Sequence, residues 1–252
     1  MISVSIIGSG ALSRSLFSAM SSLPSIAFQG VFGRNKDDAT HFGRYWITQW
    51  EKVLQSDLIL LAVPDDHIIA LYERLNSFKG IVAHCSGITP LIQRTVGDSG
   101  VFYPLNSFNK TLATELKSTP FFIEATSEES QTILEQMAKS LSSKVIPLSS
   151  DSRAKLHLAA VISQNFSNHM YALSERYCSE QGLDFEWIKP MLKGSLISTL
   201  QSSAVETQSG PAKRNDLKTL EKHRVLLKDH LNLLELYNSM TTSIQQLYEK
   251  EL

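Results

Sequence analysis

Close to its start the chain carries Ile6-Ile7-Gly8-Ser9-Gly10-Ala11-Leu12-Ser13, which joins the apolar run Ile2–Ile7 to a segment with Leu12, Leu16, Ala19, Met20 and Leu23 at helical spacing. An apolar strand that ends on Gly-x-Gly and turns at once into an amphipathic helix narrows the choice of fold sharply. Gly8 permits the tight turn and Gly10 lets the backbone approach a pyrophosphate. The free N–H groups of Ser9, Ala11 and Leu12, helped by the helix dipole, then hold the phosphates. The third position of the pattern is Ser13 rather than Gly or Ala, still small enough for close helix–strand packing. A glycine pair also serves ordinary tight turns. Its placement between strand and helix favours the dinucleotide reading.

The next stretch has the same grammar. Apolar runs recur at Ile26–Phe32 and at residues 58–63, 80–85, 100–103, 121–124 and 144–147. Several are apolar without alternation, as strands covered on both faces are, and such strands belong to parallel sheets. Helical segments lie between some of them, notably Glu128–Leu141. The expectation is an α/β domain over residues 1–150, a Rossmann-type doubly wound and mostly parallel sheet. After Ser149 an all-α domain is expected over residues 151–252. Its first helix, residues 154–177, is apolar on most sides and needs cover all round. A second is expected over residues 184–204, and a last long one from Asp216.

Bulk properties exclude several classes. The net charge of −1 provides no global field for nucleic acid or anionic lipid. No apolar stretch reaches the roughly 18 residues of a membrane span. Met1 leads straight into a strand with no secretory signal, so a cytoplasmic protein is expected. The two cysteines, Cys85 and Cys178, are read as core residues rather than a disulfide. No Cys/His/carboxylate cluster has zinc spacing.

The second strand ends Phe32-Gly33-Arg34-Asn35-Lys36, where an NAD site places Asp or Glu for the ribose hydroxyls. Cations there suit a 2′-phosphate, so NADP is favoured over NAD; solvated loop side chains are the plainer alternative. Asp37 and Asp38 are in position to cap the next helix. Ala62-Val63-Pro64 ends another strand and is a cofactor wall, while His67 beyond it reads as a surface residue. Ser86 and Gly87 end the strand after that. They suit the nicotinamide end and a substrate oxygen, or are simply a loop.

On the first helix of the second half, His157, Val161 and Asn165 share a face if the helix is regular. His157 is a candidate proton donor or a bonded core histidine. Asn165 is a candidate ligand for a carbonyl or imine. Arg214 is a candidate carboxylate clamp or a surface ion-pair partner. Asp216 orients Arg214 or caps the last helix, with capping preferred. His223 and His230 are seven apart on that expected helix and so share a face.

These pieces resemble Rossmann-like NADP-binding proteins with a C-terminal helical domain of unknown function, relatives of pyrroline-5-carboxylate reductase and the deazaflavin-dependent NADP oxidoreductases. The resemblance rests on residues 6–12, 61–65, 84–87, 103–108, 155–165 and 210–216, above all His84-x-Ser86-Gly87 and Gly210-Pro211-x-x-Arg214-x-Asp216. It implies NADP binding, pairing of two subunits through the helical domain, and an active site between the domains. Tyr103-Pro104 stands where such proteins carry His-Pro, and Asn215 where glycine is usual. The reading is an NADP-dependent oxidoreductase acting on a small keto, hydroxy or imine acid. The alternatives are an NADP-binding sensor without turnover and an electron-transfer partner that uses a deazaflavin.

Overall fold

The computed structural model describes residues 1–109 and 114–249. The chain divides into two compact units, Met1–Ile162 and Ser163–Leu252.

In the first unit the elements run β1 (Ile2–Ile7), α1 (Ala11–Met20), β2 (Ile26–Phe32), α2 (Ala39–Phe42), β3 (Trp46–Ile47), α3 (Trp50–Val53) and β4 (Leu58–Leu61). They continue with α4 (Ile68–Arg74), β5 (Ile81–His84), β6 (Ser99–Pro104), β7 (Phe121–Ala125), α5 (Glu128–Leu141), β8 (Val145–Pro147) and α6 (Ser150–Ala160). The eight strands form one sheet in the order β3-β2-β1-β4-β5-β6-β7-β8. All neighbours are parallel except β6 and β7. Pro104 at the end of β6 pairs with Phe121 at the start of β7, so the chain re-enters from the same edge and runs back. The sheet is the expected doubly wound, mostly parallel one. The apolar runs correspond to all its strands but β3, which is too short to show a period.

Strand β4 shows why the sheet is covered on both faces. All four of its residues are fully buried. Leu58 and Leu60 join one apolar cluster with Leu16 and Met20 of α1 and Leu134 and Met137 of α5. Ile59 and Leu61 point the other way, into a cluster with Ile68 and Tyr72 of α4 and Val53 of α3. The period-two alternation of a strand therefore feeds two cores. Each such side chain contributes about 1.5–3 kcal/mol on burial.

Helix α6 lies beyond residue 150 yet belongs to the first unit. Its Leu156 packs on Val101, Tyr103 and Phe122. Its Arg153 is fully buried and pairs with Glu124 of β7 at 2.9 Å. The division of the chain falls later, within the π-helical turn Val161–Phe166. A boundary at residue 150 follows the change in composition, whereas the packing follows Arg153 and Leu156.

The described part of the second unit is helical: α7 (Ser167–Glu180), α8 (Lys189–Gln201), α9 (Ala204–Thr207), α10 (Leu217–Leu226) and α11 (Leu231–Tyr248). The single last helix expected from Asp216 is two helices. Its break brings His223 Nδ1 within 2.8 Å of the Tyr237 hydroxyl, and Arg224 Nε donates to Asn238 at 3.0 Å. His230 lies instead beside Glu180, at 3.3 Å. The two histidines therefore do not share a helix face, because contacts between helices outweigh uniform helical propensity at residues 227–230. Asp216 does cap α10, accepting from the Thr219 N–H at 3.1 Å. Asn215 takes the left-handed conformation, φ 52°, a role asparagine fills better than most residues in place of glycine. Among the described residues no helix is long and apolar enough to cross a membrane.

Candidate active site

The carboxyl ends of β1, β2 and β4 surround a cleft of about 490 Å³, lined by Gly8, Ser9, Gly10, Arg34, Asn35, Ala62, Val63 and Pro64. This is where the order of the sheet reverses, since the chain passes from β1 outward to β2 and β3 and returns on the other side as β4. Gly8 has φ +115°, and a Cβ there would lie 2.1 Å from the Ala62 carbonyl oxygen, so only glycine fits. A Cβ on Gly10 would meet nothing within 4 Å. The space over the start of α1 is open, and Gly10 caps that helix without a side chain. Ala11 and Leu12 supply first-turn N–H groups there.

Asp38 is buried behind the glycine loop. It accepts from the Ser9 hydroxyl and from Arg14 Nη2, each at 2.7 Å. Neither aspartate caps a helix: Asn35 accepts the Asp37 N–H, and Asp38 makes no cap bond to α2. The Asp38 carboxylate is drawn instead to a hydroxyl of the glycine loop and a cation of α1. Lys36 is exposed and lies outside the cleft lining. His67, read from sequence as a surface residue, lines the cleft, and its Nε2 lies 3.0 Å from Arg34 Nη2. Trp50 and Arg74 also line it, with the guanidinium 3.6 Å above the indole centre.

A second group of residues stands further along the same edge, at the ends of β5 and β6. The Tyr103 hydroxyl lies 2.9 Å from His157 Nδ1. Burial raises the Tyr103 pKa, so the phenol keeps its proton, and which of the two atoms donates follows the tautomer of the ring. Gly87 makes this pairing sterically possible, because a Cβ there would fall 2.5 Å from His157 Nδ1 and 2.9 Å from Tyr103 Cζ. Ser86 is buried, and its oxygen accepts the Ile88 and Thr89 N–H groups at 3.1 and 2.9 Å. That oxygen is engaged in building the loop.

Two buried groups hold this loop. His84 Nδ1 accepts the Ser86 N–H at 3.3 Å, and its Nε2 donates to the Pro90 carbonyl at 3.1 Å. Arg153 donates to the Thr89 carbonyl and to Glu124, and Ser150 bridges Glu124 and the Leu91 N–H. The loop is thereby tied to β7 and α6.

Asn165 and Arg214 are exposed and belong to the second unit. The π-helical turn breaks the regular spacing that puts His157, Val161 and Asn165 on one face. Sequence reasoning missed the roles of Asp38 and His67, in the turns after β2 and β4, of Trp50 and Arg74, at the start of α3 and the end of α4, and the partnership of Tyr103 with His157, which spans 54 residues.

A family profile described as a domain of unknown function, DUF2520, matches residues 119–244. No curated protein matches the chain significantly. Among solved structures, a candidate NADP oxidoreductase from Bacteroides fragilis is 27% identical, with TM-score 0.85, covering 97% of this chain and 98% of its own. A protein from Thermotoga maritima is 23% identical, with TM-score 0.78 and coverages of 98% and 99%. The 1-pyrroline-5-carboxylate reductase of Streptococcus pyogenes shares the fold at 15% identity, TM-score 0.62, covering 98% of both chains.

The buried histidine makes acid stability measurable. Burial, with a smaller push in the same direction from the Arg153 cation, lowers His84 from 6.5 to about 4. Between those two values the unfolded chain binds more protons than the folded one. Stability is therefore full above about pH 6.5 and lost as pH falls toward 4, by up to about 3 kcal/mol. Urea midpoints are expected to drop between about pH 7 and 4.5, and the drop to shrink in His84→Gln. An undiminished drop in that variant assigns the sensitivity elsewhere.

Proposed function

The chain belongs to the DUF2520 family, a domain of unknown function, and from that premise we propose that it is an NADP-dependent oxidoreductase acting on a small keto, hydroxy or imine acid. One observation carries the proposal: a cleft with an open helix N-terminus and an arginine, and a hydrogen-bonded Tyr–His pair, lie along the same carboxyl edge of one sheet. The likeness to a candidate NADP oxidoreductase supports the same reading.

The cleft fits a dinucleotide. Gly10 leaves room for phosphates at the start of α1, and Arg34 stands where an NAD site has a carboxylate. Arginine there favours a 2′-phosphate by charge-assisted hydrogen bonds. A bound nicotinamide would supply or accept the hydride. The protein's share is the proton. Tyr103 holds the His157 ring through one hydrogen bond, and a protonated His157 would give its proton to a carbonyl oxygen or imine nitrogen and return to the neutral imidazole. The buried Arg153–Glu124 pair holds the Ser86–Gly87 loop against this dyad.

A homodimer through the second unit belongs to the same proposal. Helix α8 has no buried residue, and Met191, Leu196 and Leu200 on it are exposed. Phe166 and Trp187 are exposed as well. A helix of this length gains most of its stability from packing, so these apolar faces require cover, and a second copy supplies it symmetrically.

Calorimetric titration with NADPH and NADH tests the cofactor. NADPH is expected to bind tighter, and Arg34→Asp to weaken it about 100-fold while changing NADH by no more than about threefold. If neither nucleotide binds, the oxidoreductase reading falls. Once a substrate turns over, Tyr103→Phe is expected to lower kcat about 100-fold with NADPH affinity unchanged. Binding with no turnover across keto and imine acids would favour a sensor. Sedimentation at micromolar concentration is expected to give a dimer, and Leu196→Asp a monomer. A wild-type monomer removes the dimer.

A further inference from the structure

Arg34 is an exposed cation at the mouth of the cleft, and its partner there is an imidazole rather than a carboxylate. Its Nη2 lies 3.0 Å from His67 Nε2, and among the described residues it makes no other hydrogen bond or ion pair. Two N–H groups cannot face each other at that distance, so Nε2 carries no proton and accepts from the guanidinium. The ring proton then sits on Nδ1, which faces Asp66 Oδ1 at 3.7 Å. That is too long for a hydrogen bond, but the carboxylate charge favours this tautomer. Arg34 and His67 thus share one hydrogen bond, with the Asp66 carboxylate beside the ring.

The pair spans the cleft. Arg34 follows β2 and His67 follows β4, the two strands on either side of β1 and its glycine loop. A carboxylate in the position of His67 would also hold the arginine, but it would cancel the positive charge and repel an incoming phosphate. A neutral imidazole fixes the guanidinium and leaves its charge intact. Only one N–H is used, and the other donors of the fork remain for a dianionic ligand. Fixing a long side chain in advance also removes part of the entropy cost of binding.

We propose that His67 is a positioning residue for cofactor choice: it holds Arg34 poised for the adenosine 2′-phosphate and so sets the preference for NADP over NAD. This rests on the NADP reading above and deepens it.

The test uses the intact protein and two fragments, 2′,5′-ADP and 5′-AMP, which differ only by the 2′-phosphate. Calorimetry gives the ratio of their Kd values, a readout that general damage to the fold does not move selectively. The wild type is expected to prefer 2′,5′-ADP by at least about tenfold. His67→Ala is expected to reduce that preference about five- to tenfold, with 5′-AMP affinity unchanged. His67→Gln, whose amide oxygen can accept from Arg34, is expected to restore most of it. Arg34→Ala and the double variant Arg34→Ala/His67→Ala are expected to lose the preference equally, because His67 acts through Arg34. Additive losses would show that His67 touches the phosphate itself and overturn the positioning role. An unchanged ratio in His67→Ala also overturns it, as does tighter binding of both fragments, which would make the pair a latch across the cleft. If wild type binds both fragments equally, the NADP reading fails, and this proposal with it. If it binds neither, the cleft is not a nucleotide site.

Discussion

The structure depends on strands that are buried on both faces. A strand with one wet face can pair antiparallel and turn back through a short hairpin. A strand such as β4, with Leu58 and Leu60 in one core and Ile59 and Leu61 in the other, needs helices above and below it. Crossing over one face after each strand keeps successive strands parallel. Parallel strands put their carboxyl ends on one edge, and everything functional in the first unit follows from that edge. Gly8, Arg34, Pro64, Ser86 and Tyr103 come from far apart in sequence and are brought there by topology alone.

Buried charge then sharpens what the topology provides. Arg153 is fully buried and cannot be left without its partner, since an unpaired buried cation is strongly destabilising. Its bonds to Glu124 and Thr89 decide where α6 sits, and α6 carries His157 to Tyr103. Asp38 does a similar job at the other end of the site, joining the loop after β2 to Ser9 and Arg14. Both carboxylates act at a distance in sequence that no local pattern reveals. Tyr103 of β6 thereby meets an imidazole that α6 brings.

The second unit has another logic. Among the described residues the three apolar clusters all lie in the first unit. Among the described residues of the second unit few large apolar side chains are buried, Leu220, Leu227 and Tyr248 being the main ones. Its helices hold together partly by polar contacts such as His223 with Tyr237 and Tyr248 with the Val205 carbonyl. Its leucines such as Leu196, Leu200 and Leu231 form apolar surface rather than a folding core.

Local patterns in the sequence determined the strands of the sheet with the exception of β3, the helix Glu128–Leu141, the glycine turn, the cap at Asp216 and the position of Arg34 at a strand end. These features are written in periods of two and 3.6 residues and in glycines with one steric use, so a short window contains all the information they need. Tertiary structure decided the rest. It turned Asp38 from a cap into a tether and brought His67 into the cleft. It also split the last helix, moved the boundary into the π-helical turn and paired Tyr103 with His157. Each of these outcomes depends on which distant group is near enough to accept a proton or share a charge, and that distance is set only when the sheet has assembled.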